Sequence, residues 1–139
     1  MAIADLLGAL RSVLDSDARV EAAFLFGSAA RDALRDDSDV DVGVRWASDA
    51  ERIDAVREFL DIVGRLGQVS GRDVHLVDLS RAGPELRRRV YTEGVQIVDR
   101  NPRRTREELV HATIEVIDWE YARRVRRASL ATRLGATDG

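Results

Sequence analysis

Two short stretches in the first third of this 139-residue chain decide its fold. Residues 24–31 read FLFGSAAR, and residues 38–44 read SDVDVGV. In the first stretch an apolar run ends at Gly27, a residue type that lets the backbone turn tightly. In the second, valine alternates with aspartate and glycine, which is the period of a β-strand with one buried face. We therefore predict two strands, the first of which ends in a tight turn.

The rest of the sequence extends this pattern into a mixed α/β chain. Asn101 and Pro102 are interpreted as a chain break before a long last helix. On the apolar side of this helix we expect Leu109, Val116, Ile117, Tyr121, Val125 and either Thr113 or Ile114. In chain order, the predicted elements are a helix over 3–14, a strand over 20–26, a short helix over 29–35, a strand over 39–45, a helix with an inner stripe over 53–66, a strand over 73–79, a helix over 85–92, a strand over 95–98 and a helix over 105–134. The order predicts a small mixed sheet covered by helices.

Length and composition fit one compact domain. Hydrophobic residues make up 45% and charged residues 34%, and there is no cysteine, which excludes a disulfide framework, a thiolate zinc site and a cysteine nucleophile. We expect a core over residues 1–100, a helix over 101–134 that packs on the core or on a partner, and a flexible tail over 135–139.

Charge and hydropathy indicate where the protein acts. The net charge of −3 does not indicate a general electrostatic grip on nucleic acid, so we do not expect direct nucleic-acid binding. No apolar run approaches the length of a membrane span, and no signal peptide is apparent. We expect a cytoplasmic protein without a membrane partner.

The two stretches also carry the residues that point to chemistry. Gly27 and Ser28 end a strand before a predicted helix, and amide groups in such a turn suit a phosphate. Asp39 and Asp41 lie two apart on a strand, so both carboxylates project from one face and repel each other unless a cation lies between them. Magnesium is the usual partner of carboxylates and substrate phosphates. An isolated Asp-x-Asp is more often a pair of solvated carboxylates, but its combination with the Gly-Ser turn favours a site for Mg²⁺ and a nucleoside triphosphate.

This combination resembles a known signature. Gly27-Ser28, then ten residues, then Asp39-Val-Asp41 is similar to the motif of the DNA polymerase beta nucleotidyltransferase superfamily. The short length, Arg31 and Ser38 resemble its minimal nucleotidyltransferase (MNT) branch. Further similarity lies in residues 76–82 (LVDLSRA), 86–87 (LR), 93–94 (EG) and 117–121 (IDWEY), the last resembling antitoxin members of that branch.

The resemblance implies a nucleotidyltransferase α/β fold with a small mixed sheet, flanking helices and a long C-terminal helix. It implies Mg²⁺ held by Asp39 and Asp41, and ATP as the nucleotide donor. Gly27, Ser28, Arg31 and Ser38 would then bind the triphosphate. It also implies an antitoxin of the MntA type, whose partner is a HEPN-domain ribonuclease toxin. Some members transfer AMP onto a tyrosine of that toxin.

One position departs from the family pattern. Catalytic members add a third acid from the next strand, where this chain has His75. Three interpretations stay open. Asp73 could supply the third carboxylate from a shifted strand, His75 could itself act as a metal ligand or a base, or the site could bind nucleotide and catalyse poorly.

Two functional hypotheses therefore compete, an enzyme that modifies a partner and an antitoxin that neutralises its partner by binding alone. The second would use the last helix and its basic clusters. Transfer onto a small molecule such as an aminoglycoside is a third, less favoured hypothesis, and the oligomeric state is left open. Arginine clusters at 87–89 and at 103, 104 and 106 are interpreted as mainly solvated, and Trp119 and Tyr121 as core residues or, preferably, interface residues.

Overall fold

The structure, a computed structural model, describes residues 2–31, 38–47 and 55–137. Its helices and strands follow the predicted order. They are α1 (Ile3–Leu14), β1 (Val20–Phe26), a 3₁₀ turn (Ala29–Arg31), β2 (Val40–Trp46), α2 (Ala55–Ser70), β3 (Val74–Asp78), α3 (Pro84–Glu93), β4 (Val95–Asp99) and α4 (Pro102–Thr137).

Several boundaries differ from the sequence prediction. The described part of the predicted helix over 29–35 is one 3₁₀ turn, and residues 32–37 lie outside the described residues, as do residues 48–54 at the start of the predicted third helix. The helix α4 runs three residues past its predicted end, to Thr137.

Pro102 begins α4 and does not break the chain. Proline suits the first position of a helix because its missing N–H would have no helical acceptor there. The side-chain oxygen of Asn101 accepts a hydrogen bond from the backbone N–H of Arg104 at 3.1 Å, as an N-cap residue does. The Asn-Pro pair is therefore a helix start, and sequence reasoning assigned it the opposite role.

The sheet has the strand order β3-β2-β1-β4. Strand β1 is antiparallel to β2 and β4, whereas β2 and β3 are parallel and are joined through α2. The end of β1, the start of β2 and the start of β3 consequently meet at one end of the sheet. This topology brings the Gly-Ser turn next to the aspartate strand.

Helices cover both faces of the sheet. Val40, Val42 and Val44 are completely buried in the main core, which also contains the inner sides of α1 and α2. On the other face Gly43 lets α3 approach, since a Cβ at this position would lie 3.0 Å from Leu79 and 3.2 Å from Val90. Each buried valine contributes roughly 1.5–3 kcal/mol to stability, so the alternating valines anchor β2 firmly.

The residues predicted to share one apolar side of α4 lie on two different sides of the helix, and only one of these sides is buried. Ala112 and Val116 are buried against the body, whereas Ile117, Tyr121 and Val125 are half or more exposed. The described side chains beyond Val116, through residue 134, are all exposed.

Within the described residues, no helix is both long enough and apolar enough to cross a bilayer.

Candidate active site

Gly27 directly follows β1 and has a conformation that only glycine adopts easily. Its φ is +72°, in the left-handed region. A Cβ at this position would lie 2.3 Å from Oδ2 of Asp41. The register of the sheet explains the closeness, because Phe26 is paired with Asp41 across β1 and β2. The turn and the second aspartate of the motif therefore lie next to each other.

Asp41 also faces the neighbouring parallel strand. Its Cα is paired with that of His75 in β3, and Nδ1 of His75 lies 3.5 Å from Oδ1 of Asp41. The Asp41 side chain is 30% exposed and the His75 side chain 69% exposed, so both are accessible to a ligand. His75 thus lies beside the motif, on the strand where the sequence pattern placed it.

Asp39 and Asp73 lie at the same edge of the sheet, just before β2 and β3. The backbone N–H of Val40 donates to the carbonyl of Asp73 at 2.9 Å, which aligns the two strand starts. Asp39 and Asp73 then line an open cleft of about 560 Å³, together with Ser38 and Arg72. Arg72 donates from Nη1 to the carbonyl of Ser38 at 3.1 Å. Asp73 therefore lies beside Asp39, while His75 lies beside Asp41.

The remaining predicted residues occupy the turn and its continuation. Ser28 is exposed, and it follows Gly27 directly. Arg31 ends the 3₁₀ turn, but its side chain lies outside the described residues. The described turn therefore carries one exposed hydroxyl-bearing residue, Ser28, directly beside Gly27.

The donor set fits a magnesium ion that shares its coordination with phosphates. Within residues 2–31, 38–47 and 55–137, no three histidine, aspartate or glutamate side chains form a metal-binding group. Magnesium, however, is commonly held by one or two carboxylates plus substrate phosphates and water. The space that a Cβ of Gly27 would fill lies directly at the Asp41 carboxylate. A phosphate-bearing ligand at this turn can consequently supply the ligands that the protein does not.

A buried arginine at the far end of β2 was missed by sequence reasoning. The Arg45 side chain has no exposed surface. It donates to Glu21 at 2.7 Å, to the Thr105 hydroxyl at 2.8 Å, to the carbonyl of Asn101 at 3.3 Å and to the Tyr91 oxygen at 3.5 Å. Since Arg45 is in phase with Asp41 and Gly43 along the strand, its alternation could have placed it on the α3 side of the sheet. Its partners on β1, α3 and α4 are distant in sequence and carry no local signal.

Two residues of the arginine clusters that were predicted to be mainly solvated are partly buried and form ion pairs. Arg104 is half-buried and bridges Glu21 and Glu108, each at 3.3 Å, so it is part of the same network. Arg87 is 17% exposed and pairs with Glu115 at 3.1 Å, which joins α3 to α4. These two residues are structural, contrary to the prediction of solvated clusters.

Tyr91 is the titratable group that this network perturbs most clearly. Burial and a hydrogen bond donated to the Glu108 carboxylate raise the pKa of Tyr91 to about 12. Burial alone would lower the pKa of Arg45, but its hydrogen bonds to Tyr91 and Glu21 outweigh burial, and that pKa is raised. The network therefore favours a neutral tyrosine beside a charged arginine.

The four-stranded mixed sheet, with its Gly-Ser turn against an aspartate-bearing strand, is the architecture of a nucleotidyltransferase fold. The family model described as Polymerase beta, Nucleotidyltransferase matches residues 9–103, which is more than half of the chain. The chain therefore belongs to the Polymerase beta nucleotidyltransferase family. No curated protein matches the chain in sequence.

Solved structures with the same fold come from toxin–antitoxin systems. A toxin-antitoxin crystal structure with AMP-PNP is 22% identical, has a TM-score of 0.70, and aligns over 89% of this chain and 97% of that chain. A toxin-antitoxin MntA-HepT structure is 21% identical and has a TM-score of 0.64, and the alignment covers 90% of this chain and 96% of that chain. A structure of a tri-AMPylated Shewanella oneidensis HEPN toxin in complex with an MNT antitoxin is 21% identical and has a TM-score of 0.64. The alignment covers 90% of this chain and 95% of that chain. At these identities the likeness establishes the shared fold.

Proposed function

We propose that this chain is a nucleotidyltransferase antitoxin that transfers AMP from ATP onto a HEPN toxin. The observation that carries the proposal is the contact between the Gly27 turn and the Asp41 carboxylate, where a Cβ would lie 2.3 Å from Oδ2. A turn that offers amides to a triphosphate and a carboxylate that can hold its cation meet at that point. The fold shared with toxin–antitoxin structures, one of which contains AMP-PNP and one an AMPylated toxin, supports the choice of donor and acceptor.

In this proposal the chain positions groups and balances charge. The turn at Gly27 and Ser28 binds the triphosphate through N–H groups and the hydroxyl, with Arg31 and Ser38 as further contacts. Asp39 and Asp41 hold Mg²⁺, which when bound neutralises charge on the phosphates. The oxygen of an acceptor hydroxyl on the toxin forms a bond to the α-phosphorus and gives up its proton to solvent, while the α–β phosphoanhydride bond breaks and pyrophosphate leaves. Catalysis rests mainly on orientation and electrostatics.

The proposal is tested by labelling a co-expressed HEPN toxin with α-³²P-ATP and Mg²⁺. We expect label on the toxin with the unaltered chain, and its loss in the double variant Asp39→Asn/Asp41→Asn. The matched control is Asp5→Asn, which removes one exposed carboxylate in the first turn of α1 and should leave labelling unchanged. Labelling that persists in the double variant would refute the assignment of the aspartates.

The alternative is an antitoxin that neutralises by binding alone. It is favoured by one observation, the presence of His75 beside Asp41 where an acid would be expected. In this case the double variant Asp39→Asn/Asp41→Asn still protects cells from the toxin. Protection that is lost together with label supports transfer, whereas protection that survives without label supports binding alone.

The third site residue is tested with separate substitutions. We propose that either Asp73 or His75 completes the site, the first from the cleft beside Asp39 and the second beside Asp41. Asp73→Asn and His75→Ala are compared for labelling rate at saturating ATP. The variant with the larger loss identifies the residue that takes part. A gain in rate for His75→Asp would indicate that the position works better with an acid.

A further inference from the structure

A second apolar surface runs along α4. It consists of Val110, Ile114, Ile117, Tyr121 and Val125, which we name the outer stripe. Their exposed fractions lie between 50% and 69%. The spacing of four, three, four and four residues keeps them on one side of a helix with 3.6 residues per turn. Five large apolar side chains exposed in one row on a helix are typical of an interaction surface.

The outer stripe does not face the body of the molecule. Ala112 and Val116, which are buried against the body, lie on a different side of α4. Val110 and Ile114 belong to the half of the helix that packs on the body, and Tyr121 lies in the half beyond Val116, where the described side chains are exposed. One occupant that covers the whole stripe must therefore be elongated and lie along the helix axis.

After three arginines at its start (Arg103, Arg104 and Arg106), the charges of α4 form two blocks of equal length. Residues 107–120 contain five acids and no arginine, and residues 121–134 contain five arginines and no acid. A second α4 that runs antiparallel, with its centre near Tyr121, places each acidic block beside a basic block. A parallel second copy would place like charges together. Charge repulsion between wrongly oriented copies selects the antiparallel arrangement.

We propose that the outer stripe is the interface between two copies of this chain, which pair antiparallel through α4 about a two-fold axis near Tyr121. Tyr121 then faces its own equivalent, and Ile117 faces Val125 of the second copy. Glu120 and Arg124 lie on the same edge of the stripe, so each Glu120 comes close to Arg124 of the other copy. The proposal is independent of the transferase chemistry, since it uses neither the Gly-Ser turn nor the aspartates.

The first test uses cross-linking of the full chain, which contains no cysteine. In the variant Tyr121→Cys, the two thiols meet at the two-fold axis, so mild oxidation should convert most of the chain to a disulfide-linked dimer. The matched control is Trp119→Cys. Trp119 is 65% exposed but lies about 160° away around the helix, because two residues turn it by about 200°. We expect little cross-linking in this control.

The second test measures mass by light scattering over a range of concentrations. The unaltered chain should approach twice its own mass, Ile117→Glu should remain monomeric, and Trp119→Glu should dimerise normally. Arg124→Glu should weaken the dimer at least tenfold in dissociation constant, and the double variant Glu120→Arg/Arg124→Glu should restore it. Circular dichroism of each variant checks that the helices are retained.

Three results would overturn the proposal. The unaltered chain could remain monomeric at every concentration, which would leave the stripe to a different protein such as the toxin. The dimer could persist in Ile117→Glu, which would place the interface elsewhere. The variants Trp119→Cys and Tyr121→Cys could also cross-link equally, which would show random collisions in place of a defined two-fold pair.

Discussion

Gly27 has two separate reasons to be glycine, and they can be distinguished by experiment. Its positive φ strains any L side chain, and a side chain would also collide with Asp41. Gly71 shares only the first property, since its φ is +66° and no atom lies within 4 Å of a Cβ built there. Gly71 lines the cleft beside Asp39 but has no contact with Asp41, so it is a control for backbone strain and for the contact with Asp41.

We expect Gly27→Ala and Gly71→Ala to lose similar stability, about 1–2 kcal/mol, because both place alanine in the left-handed region. Only Gly27→Ala should also weaken binding of ATP and Mg²⁺, because its methyl group displaces the Asp41 carboxylate. Urea unfolding and calorimetric titration measure the two effects. Equal nucleotide affinity in both variants would contradict the proposed position of the triphosphate.

The raised pKa of Tyr91 predicts that the folded protein loses stability at high pH. Its folded pKa of about 12 lies above the ordinary tyrosine value of 10.0, so the folded state retains the proton longer than the unfolded state. The stability from this group is complete below pH 10 and is lost as the pH rises towards 12, by roughly 2–3 kcal/mol at most.

The chain is well suited to this measurement because it has no lysine, so tyrosines are the main side chains that titrate in this range. Urea unfolding at a series of pH values should show a decline between pH 10 and 12 that is absent from Tyr91→Phe. Tyr121→Phe, at an exposed position, is the control and should retain the decline. Identical pH profiles for Tyr91→Phe and the unaltered chain would contradict the role of Tyr91.

At the scale of the elements, Arg45 joins the strand that carries Asp41 to the start of α4. Its hydrogen bonds reach Glu21 on β1 and Thr105 on α4, and Thr105 in turn donates to Asp99 at 2.8 Å. A buried charge with several partners holds the surrounding elements in one arrangement. The network is therefore expected to maintain the docking of α4 on the sheet.

We expect Arg45→Met to destabilise the fold by about 3–5 kcal/mol, because it leaves the carboxylates of Glu21 and Asp99 without their buried partner. Arg106→Met, at an exposed position on α4, should change stability by less than about 0.5 kcal/mol. Thermal and urea unfolding of both variants measure the difference. A small effect of Arg45→Met would indicate that the network is dispensable for the fold.

For the whole molecule, the body and the outer half of α4 should be separable. Among the side chains of α4 that the structure describes, Val116 is the last buried one, and the exposed ion pair of Arg123 with Glu85 contributes at most about 1 kcal/mol. A chain that ends at Asp118 should retain cooperative unfolding, with a melting temperature within a few degrees of the full chain. Its far-ultraviolet circular dichroism should lose the signal of the removed helix.

This comparison is made at a concentration low enough to keep the full chain monomeric, because association raises the apparent stability. The shortened chain should also fail to dimerise at high concentration. Non-cooperative melting of the shortened chain would mean that the outer half of α4 supports the core.

Local patterns in the sequence determined most of the fold. The alternating valines of β2, the apolar periodicity of α1 and the Gly-Ser pair after β1 each act through near neighbours in the chain, so period and turn chemistry were sufficient to predict them. The approach of Gly27 to Asp41 could be predicted as well, since a family signature places the two stretches together.

Only the tertiary structure decided which side chains meet across the sheet and across the helices. The sequence left open whether Asp73 or His75 completes the site, and the parallel register of β2 and β3 places His75 next to Asp41. The burial of Arg45 and the exposure of Ile117 and Tyr121 likewise depend on where α3 and α4 pack. A periodic apolar stripe predicts that a helix has an interaction face. Whether that face is buried depends on partners that are distant in sequence, and no local pattern specifies those partners.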